Sequence, residues 1–140
     1  MGYEIEMSLD LRKHKNTSTI INGSMELAEN NACDRYFQFS EYEGEVRRIK
    51  RNSQVLLFCF EDEKFTEMSN FLKEVIEKYK KKLFIESIYD VDRHSLIYAS
   101  SHYMSKIETE TKDDYKTRRT NRSFSDTDYY ILREILKKNY

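Results

Sequence analysis

Along residues 3–11 apolar and polar side chains alternate: Tyr3, Ile5, Met7, Leu9 and Leu11 face one way, and Glu4, Glu6, Ser8 and Asp10 the other. Period two over this length predicts a half-buried strand. The spacing changes over residues 62–82. There Phe65, Met68, Leu72, Val75 and Tyr79 recur every three or four positions, widened by Phe71 and Ile76 into the stripe of an amphipathic helix. Asp62 stands as its N-cap, with Glu63 and Glu67 near the positive end of the dipole. Lys78, Lys80, Lys81 and Lys82 stand at the negative end. Burying each stripe residue is worth roughly 1.5–3 kcal/mol, so this face must meet a sheet.

The pattern between these elements is less regular. Ile20, Ile21, Leu27, Ala28 and Ala32 line one helical face over residues 18–33. Asn22-Gly23 interrupts it and Ser24 offers a second cap, which predicts two short pieces. Residues 35–42, rich in Tyr and Phe, read as a strand. Glu43-Gly44 marks a turn, residues 45–51 a basic strand, Arg51-Asn52-Ser53 a further turn, and residues 54–60 a strongly apolar strand. Two more strands, 83–89 and 95–104, flank the turn Asp90-Val91-Asp92-Arg93-His94. Both carry apolar residues at odd and even positions, as in strands covered on two faces.

Residues 106–123 are charged and aperiodic. A last helix follows, with Ser125 as cap, Asp128 at its third position and Phe124 placed to staple onto Tyr129. Its apolar face is Tyr129, Leu132, Ile135 and Leu136. The element order predicts an α+β fold: a ferredoxin-like or related antiparallel sheet covered by two helices, with an extra C-terminal helix. The expected organisation is a core domain at 1–105, a charged linker at 106–124 and the helix at 125–140.

Composition narrows the picture. In 140 residues, 39% are hydrophobic and 35% charged, enough for one core without metal or disulfide staples but with a heavily charged surface. A net charge of -1 leaves no overall field for nucleic acid or anionic membrane, so any such binding needs a local patch. Cys33 and Cys59 form no short-spaced motif, and the chain opens on a strand pattern instead of a leader, which predicts a reducing, cytoplasmic setting. Gly2 lacks the Ser or Thr at position 6 that acylation prefers; Glu6 stands there. No apolar run is long enough to span a bilayer, so no membrane partner is expected.

Candidate chemistry is sparse. His14, His94, His102, Cys33 and Cys59 show no zinc-site spacing, and Asp90 and Asp92 beside His94 read as turn formers before ligands. Ser100-Ser101-His102 places hydroxyls beside an imidazole. On a strand only Ser100 and His102 share a face, and no strand–turn–helix elbow accompanies them. With 3 Gly there is no phosphate-cradling loop. The sequence therefore predicts no catalytic residue, no metal and no cofactor. A ligand- or nucleotide-handling enzyme using Asp90, Asp92 and His94 ranks last.

Two surfaces are candidates for binding. Arg47, Arg48, Lys50 and Arg51 follow the aromatic run Tyr36–Phe39, the ingredients of a platform for single-stranded RNA or DNA. Lys112, Lys116, Arg118, Arg119 and Arg122 form a second basic cluster. The plainer account pairs the basic strand with Glu4, Glu6 and Asp10, or makes it a guard against edge-to-edge aggregation. The second surface is the C-terminal apolar face, Tyr129, Leu132, Ile135 and Leu136. It either packs back on its own sheet or docks on another copy. Ser125, with Arg122 three residues before it, also matches a basophilic kinase site weakly, beside its simpler role as a cap.

The opening Gly2-Tyr3-Glu4-Ile5-Glu6-Met7-Ser8, the segments Phe84–Tyr89 and Ser95–Ser100, and Arg122-Ser123-Phe124-Ser125 before a helix resemble small uncharacterised proteins of giant cytoplasmic DNA viruses. The Lys-, Asn- and Tyr-rich composition without Pro or Trp is similar to theirs. The resemblance implies the infected-cell cytoplasm, viral factory or particle, and no activity. The expectation is a non-catalytic binding or assembly module that is homo-oligomeric, with a nucleic-acid-binding module as the alternative.

Overall fold

The computed structural model describes residues 2–43, 51–107 and 126–139. In chain order these form β1 (Tyr3–Asp10), α1 (Thr17–Asn30), β2 (Arg35–Glu43), β3 (Arg51–Phe60), α2 (Phe65–Tyr79), β4 (Phe84–Asp90), β5 (Ser95–Ala99), α3 (Ser101–Lys106) and α4 (Asp126–Asn139). The sheet runs β2-β3-β1-β4-β5, with every neighbouring pair antiparallel. The first six elements, β-α-β-β-α-β, make the ferredoxin-like arrangement, and β5 extends it at one edge.

Alternation in β1 sets the two faces. Tyr3, Ile5, Met7 and Leu9 are buried beneath the helices, opposite Phe60, Phe58 and Leu56 of β3. Phe71 of α2 sits 4.8 Å from Phe58 and 5.5 Å from Phe60, ring centroid to ring centroid, and closes the core from above. α4 lies beside α2, with Leu132, Ile135 and Leu136 buried in the same core.

Several elements differ from the sequence reading. α1 is one helix that runs through Gly23. Ser24 is buried inside it, its hydroxyl donating to the Ile21 carbonyl 2.8 Å away, so it does not cap a second piece. Gly23 is retained where α1 meets α2, because a Cβ there would overlap the Tyr79 hydroxyl. Asp62 begins a 3-10 turn, Asp62–Lys64, ahead of α2 and does not cap that helix. Arg51, Asn52 and Ser53 belong to β3, in register with Glu43, Tyr42 and Glu41, where a turn was expected. β1 therefore faces residues 53–60 and β4, and Arg51 stands opposite Glu43 and not opposite the acidic side of β1.

The strand expected over 95–104 stops at Ala99. Ser100 turns the chain, its Oγ accepting a 3.1 Å bond from the Tyr103 amide, and starts α3. Register shifts at Glu6/Met7 and Ile88/Tyr89 explain why β4 and β5 lack clean alternation. Most of the expected linker, residues 108–124, lies outside the described residues, and α3 occupies its start.

Candidate functional site

β2 forms one edge of the sheet and is held in unbroken register to β3 from Arg35↔Cys59 to Glu43↔Arg51. Every residue from Arg35 to Ser40 is exposed. On its helix side the strand is tied down by polar contacts. The Tyr36 hydroxyl donates to Glu29 of α1 (2.9 Å), Gln38 Nε2 donates to Gln54 Oε1 (2.8 Å), and Gln54 Nε2 donates to Ser40 Oγ (2.7 Å). On the other side stand Phe37 and Phe39, 48% and 47% exposed, opposite half-buried Leu57 and buried Val55 of β3. Two phenylalanines left half in water on one paired strand make a small exposed apolar patch.

The start of β2 is anchored by Asp34. Its Oδ1 takes a 2.6 Å ion pair from Lys64, its Oδ2 accepts from the Glu61 amide at 2.8 Å, and its own amide donates to the Cys59 carbonyl. Burial pushes the Asp34 carboxyl up, but the Lys64 and Glu61 bonds outweigh it and hold the group below its ordinary range. Beside it is a depression of about 70 Å³ lined by Tyr3, Glu4, Arg35, Cys59 and Glu61 among others. That is small against the roughly 300–1,000 Å³ of ordinary ligand pockets.

A second constellation lies on the same side of the sheet, toward β4. Glu86 is 3% exposed. Its Oε1 accepts from the Ser8 hydroxyl at 2.7 Å, and its Oε2 accepts from the Ser100 hydroxyl at 2.7 Å with His102 Nδ1 3.0 Å away. Burial drives this carboxyl upward; the bonds from Ser8, Ser100 and His102 more than reverse that and bring it down to about 2. The bulge at Glu6/Met7 lets Glu86 share a side with Ser8, while Ser100 both donates to Glu86 and caps α3. The cluster bolts α3 onto β1 and β4. An anion held this firmly is a weak base at neutral pH, although it does orient the imidazole of His102.

Sequence reasoning paired Ser100 with His102 but missed Glu86 and Ser8. A lone glutamate inside the apolar run 83–89 was the available signal. Among the other expected site residues, Arg47, Arg48, Lys50, Arg118, Arg119 and Arg122 lie outside the described residues, as does Ser125. Arg51 is the first residue of β3. Tyr129 lies in the first turn of α4, Leu132, Ile135 and Leu136 are occupied by their own core, and Tyr130 and Ile131 are exposed. Asp90 shapes the β4–β5 turn, its Oδ1 accepting from the Arg93 amide at 3.2 Å, with His94 in the left-handed region at φ 50°. Cys33 and Cys59 are both free thiols, and burial pushes Cys33 up to about 11. Among the described residues no three His, Cys, Asp or Glu side chains gather closely enough to hold a metal, and no helix is long and apolar enough to cross a membrane.

No family model and no curated protein matches the chain. Among solved structures, a phage SAM lyase in complex with S-methyl-5'-thioadenosine aligns at 11% identity over 71% of this chain and 87% of that one, with a TM-score of 0.41. Similarity of that degree carries no argument about what this chain does.

Proposed function

We propose that this chain is a non-catalytic assembly module that associates with further copies of itself through the exposed edge strand β2. The observation behind the reading is the pair Phe37 and Phe39, half exposed on a strand that nine register positions hold rigid. Exposed aromatics on a preordered edge bind with little loss of conformational freedom. The edge is favoured over the C-terminal apolar face, because most of that face is already spent on the chain's own core. Glu86 is read as a fastening, since Ser8, Ser100 and His102 of the same chain engage both of its oxygens.

Light scattering on the full chain over a range of concentrations tests this. A mass rising to a multiple of the chain mass is expected, and Phe37→Lys with Phe39→Lys should return it to one chain. A wild-type chain that stays single at high micromolar concentration refutes the reading.

A second reading is single-stranded nucleic-acid binding. Phe37 and Phe39 are spaced for stacking on one face, beside exposed Arg35. Against it, the same face carries Glu4 and Glu6 on β1 and the positions of Glu41 and Glu43 on β2. If four basic residues contact phosphates, log K falls against log salt with a slope of about −3 to −4. No binding at low salt removes this reading.

A further inference from the structure

The two edges of the sheet are built differently. β5 is 5 residues long, shifts register against β4, buries Ser95, Leu96 and Ile97, and gives way to α3. Those are devices that keep an edge from recruiting another strand. β2 has none of them: it is 9 residues long, its register with β3 is unshifted, Arg35 to Ser40 are all exposed, and the strand contains no Lys and no Pro.

Resting on the assembly reading above, we infer that two copies join by antiparallel pairing of their β2 strands about a twofold axis at Gln38. The sequence of the strand, Arg-Tyr-Phe-Gln-Phe-Ser-Glu-Tyr-Glu, selects the partner and the register. With the axis at Gln38, each Arg35 stands across from the partner's Glu41, each Phe37 across from the partner's Phe39, and Tyr36 across from the partner's Ser40. Opposite charges and aromatic rings are thus matched twice each, and no like charges meet. Moving the axis to Phe39 sets Phe37 against a glutamate. Moving it to Phe37 sets Arg35 against a phenylalanine and loses both charge pairs. The axis at Gln38 runs perpendicular to the sheet, so the helices of both copies lie on one side and the four phenylalanines form one band on the other.

The register is read directly by Gln38→Cys, an exposed position whose substitution leaves the core untouched. Under mild oxidation, Gln38→Cys is expected to cross-link between chains several-fold faster than Phe37→Cys, Phe39→Cys or the wild-type thiols, because only residue 38 faces its own copy. Arg35→Glu should raise the dimer Kd roughly tenfold by turning two attractive pairs repulsive, and Arg35→Glu with Glu41→Arg should restore it. A dimer that neither Arg35→Glu nor Phe39→Lys weakens, and that Gln38→Cys does not cross-link, overturns the inference while self-association stands. A wild-type chain that never dimerises overturns both. Circular dichroism on each variant separates lost pairing from lost folding.

Discussion

His102 Nδ1 lies 3.0 Å from Glu86 Oε2, so a side chain on the short α3 is held by a carboxylate buried in β4. The hydroxyls of Ser8 and Ser100 complete the contacts. This carboxylate stays ionised because three donors compensate what burial costs it.

Replacing that charge should be expensive. Glu86→Gln exchanges one accepting oxygen for a donor that meets hydroxyls already donating, and should cost about 2–3 kcal/mol. Urea unfolding at neutral pH measures it. Ser100→Ala removes a donor to Glu86 and the cap of α3, at about 1–2 kcal/mol.

The same site sets an acid limit. With the Glu86 carboxyl depressed from 4.5 to about 2 in the fold, the unfolded chain binds the proton more readily than the folded one. Its contribution, at most about 3 kcal/mol, is therefore complete above pH 4.5 and fades as pH falls toward 2. The wild type should lose stability through that window, and Glu86→Gln should lose less.

At the α1–α2 crossing, glycine in mid-helix normally costs about 1 kcal/mol relative to alanine, so Gly23→Ala would ordinarily stabilise. Here the added methyl collides with the hydroxyl of buried Tyr79. Gly23→Ala should destabilise the wild type, and far less so in a Tyr79→Phe background. A double-mutant cycle in urea reads the coupling directly.

Gly2 is predicted to be intolerant for a different reason. Its φ of 121° is poorly open to other residues, and a Cβ there would meet the backbone of Phe60 and Glu61. Its carbonyl accepts a 2.7 Å bond from the Val91 amide, tying the chain start to the β4–β5 turn. Gly2→Ala should lower the thermal midpoint by several degrees in a melting experiment, about 1–3 kcal/mol.

The C-terminal helix is part of the fold and not an appendage. Leu132→Ala, at a site with no exposure, should cost about 2–4 kcal/mol, measured by the urea midpoint.

Strands and helices that bury one clean face were legible in the sequence. β1 and α2 follow because period two and period 3.6 each had a single solution there. Reading failed where a local signal competed with packing. Gly23 looked like a break, but the contact with Tyr79 requires a small residue inside a continuous helix. Arg51-Asn52-Ser53 looked like a turn, but pairing with β2 draws it into the sheet. Glu86 was invisible as a site because its partners, Ser8 and Ser100, come from positions 78 residues before and 14 after it. A bulge, which shifts a side chain to the other face, breaks alternation without marking which residue is displaced. The edge position of β2 was equally hidden, since strand order is a property of the whole topology.

With β2 pairing as proposed, one guarded margin and one open margin among the described strands would give this body a valence of one. Units that can be joined along only a single side form pairs and then stop; they cannot be strung into fibres, however much is made or however high the concentration. Removing the bulge or lengthening β5 would supply the missing second valence, and a bounded particle would become an open-ended polymer.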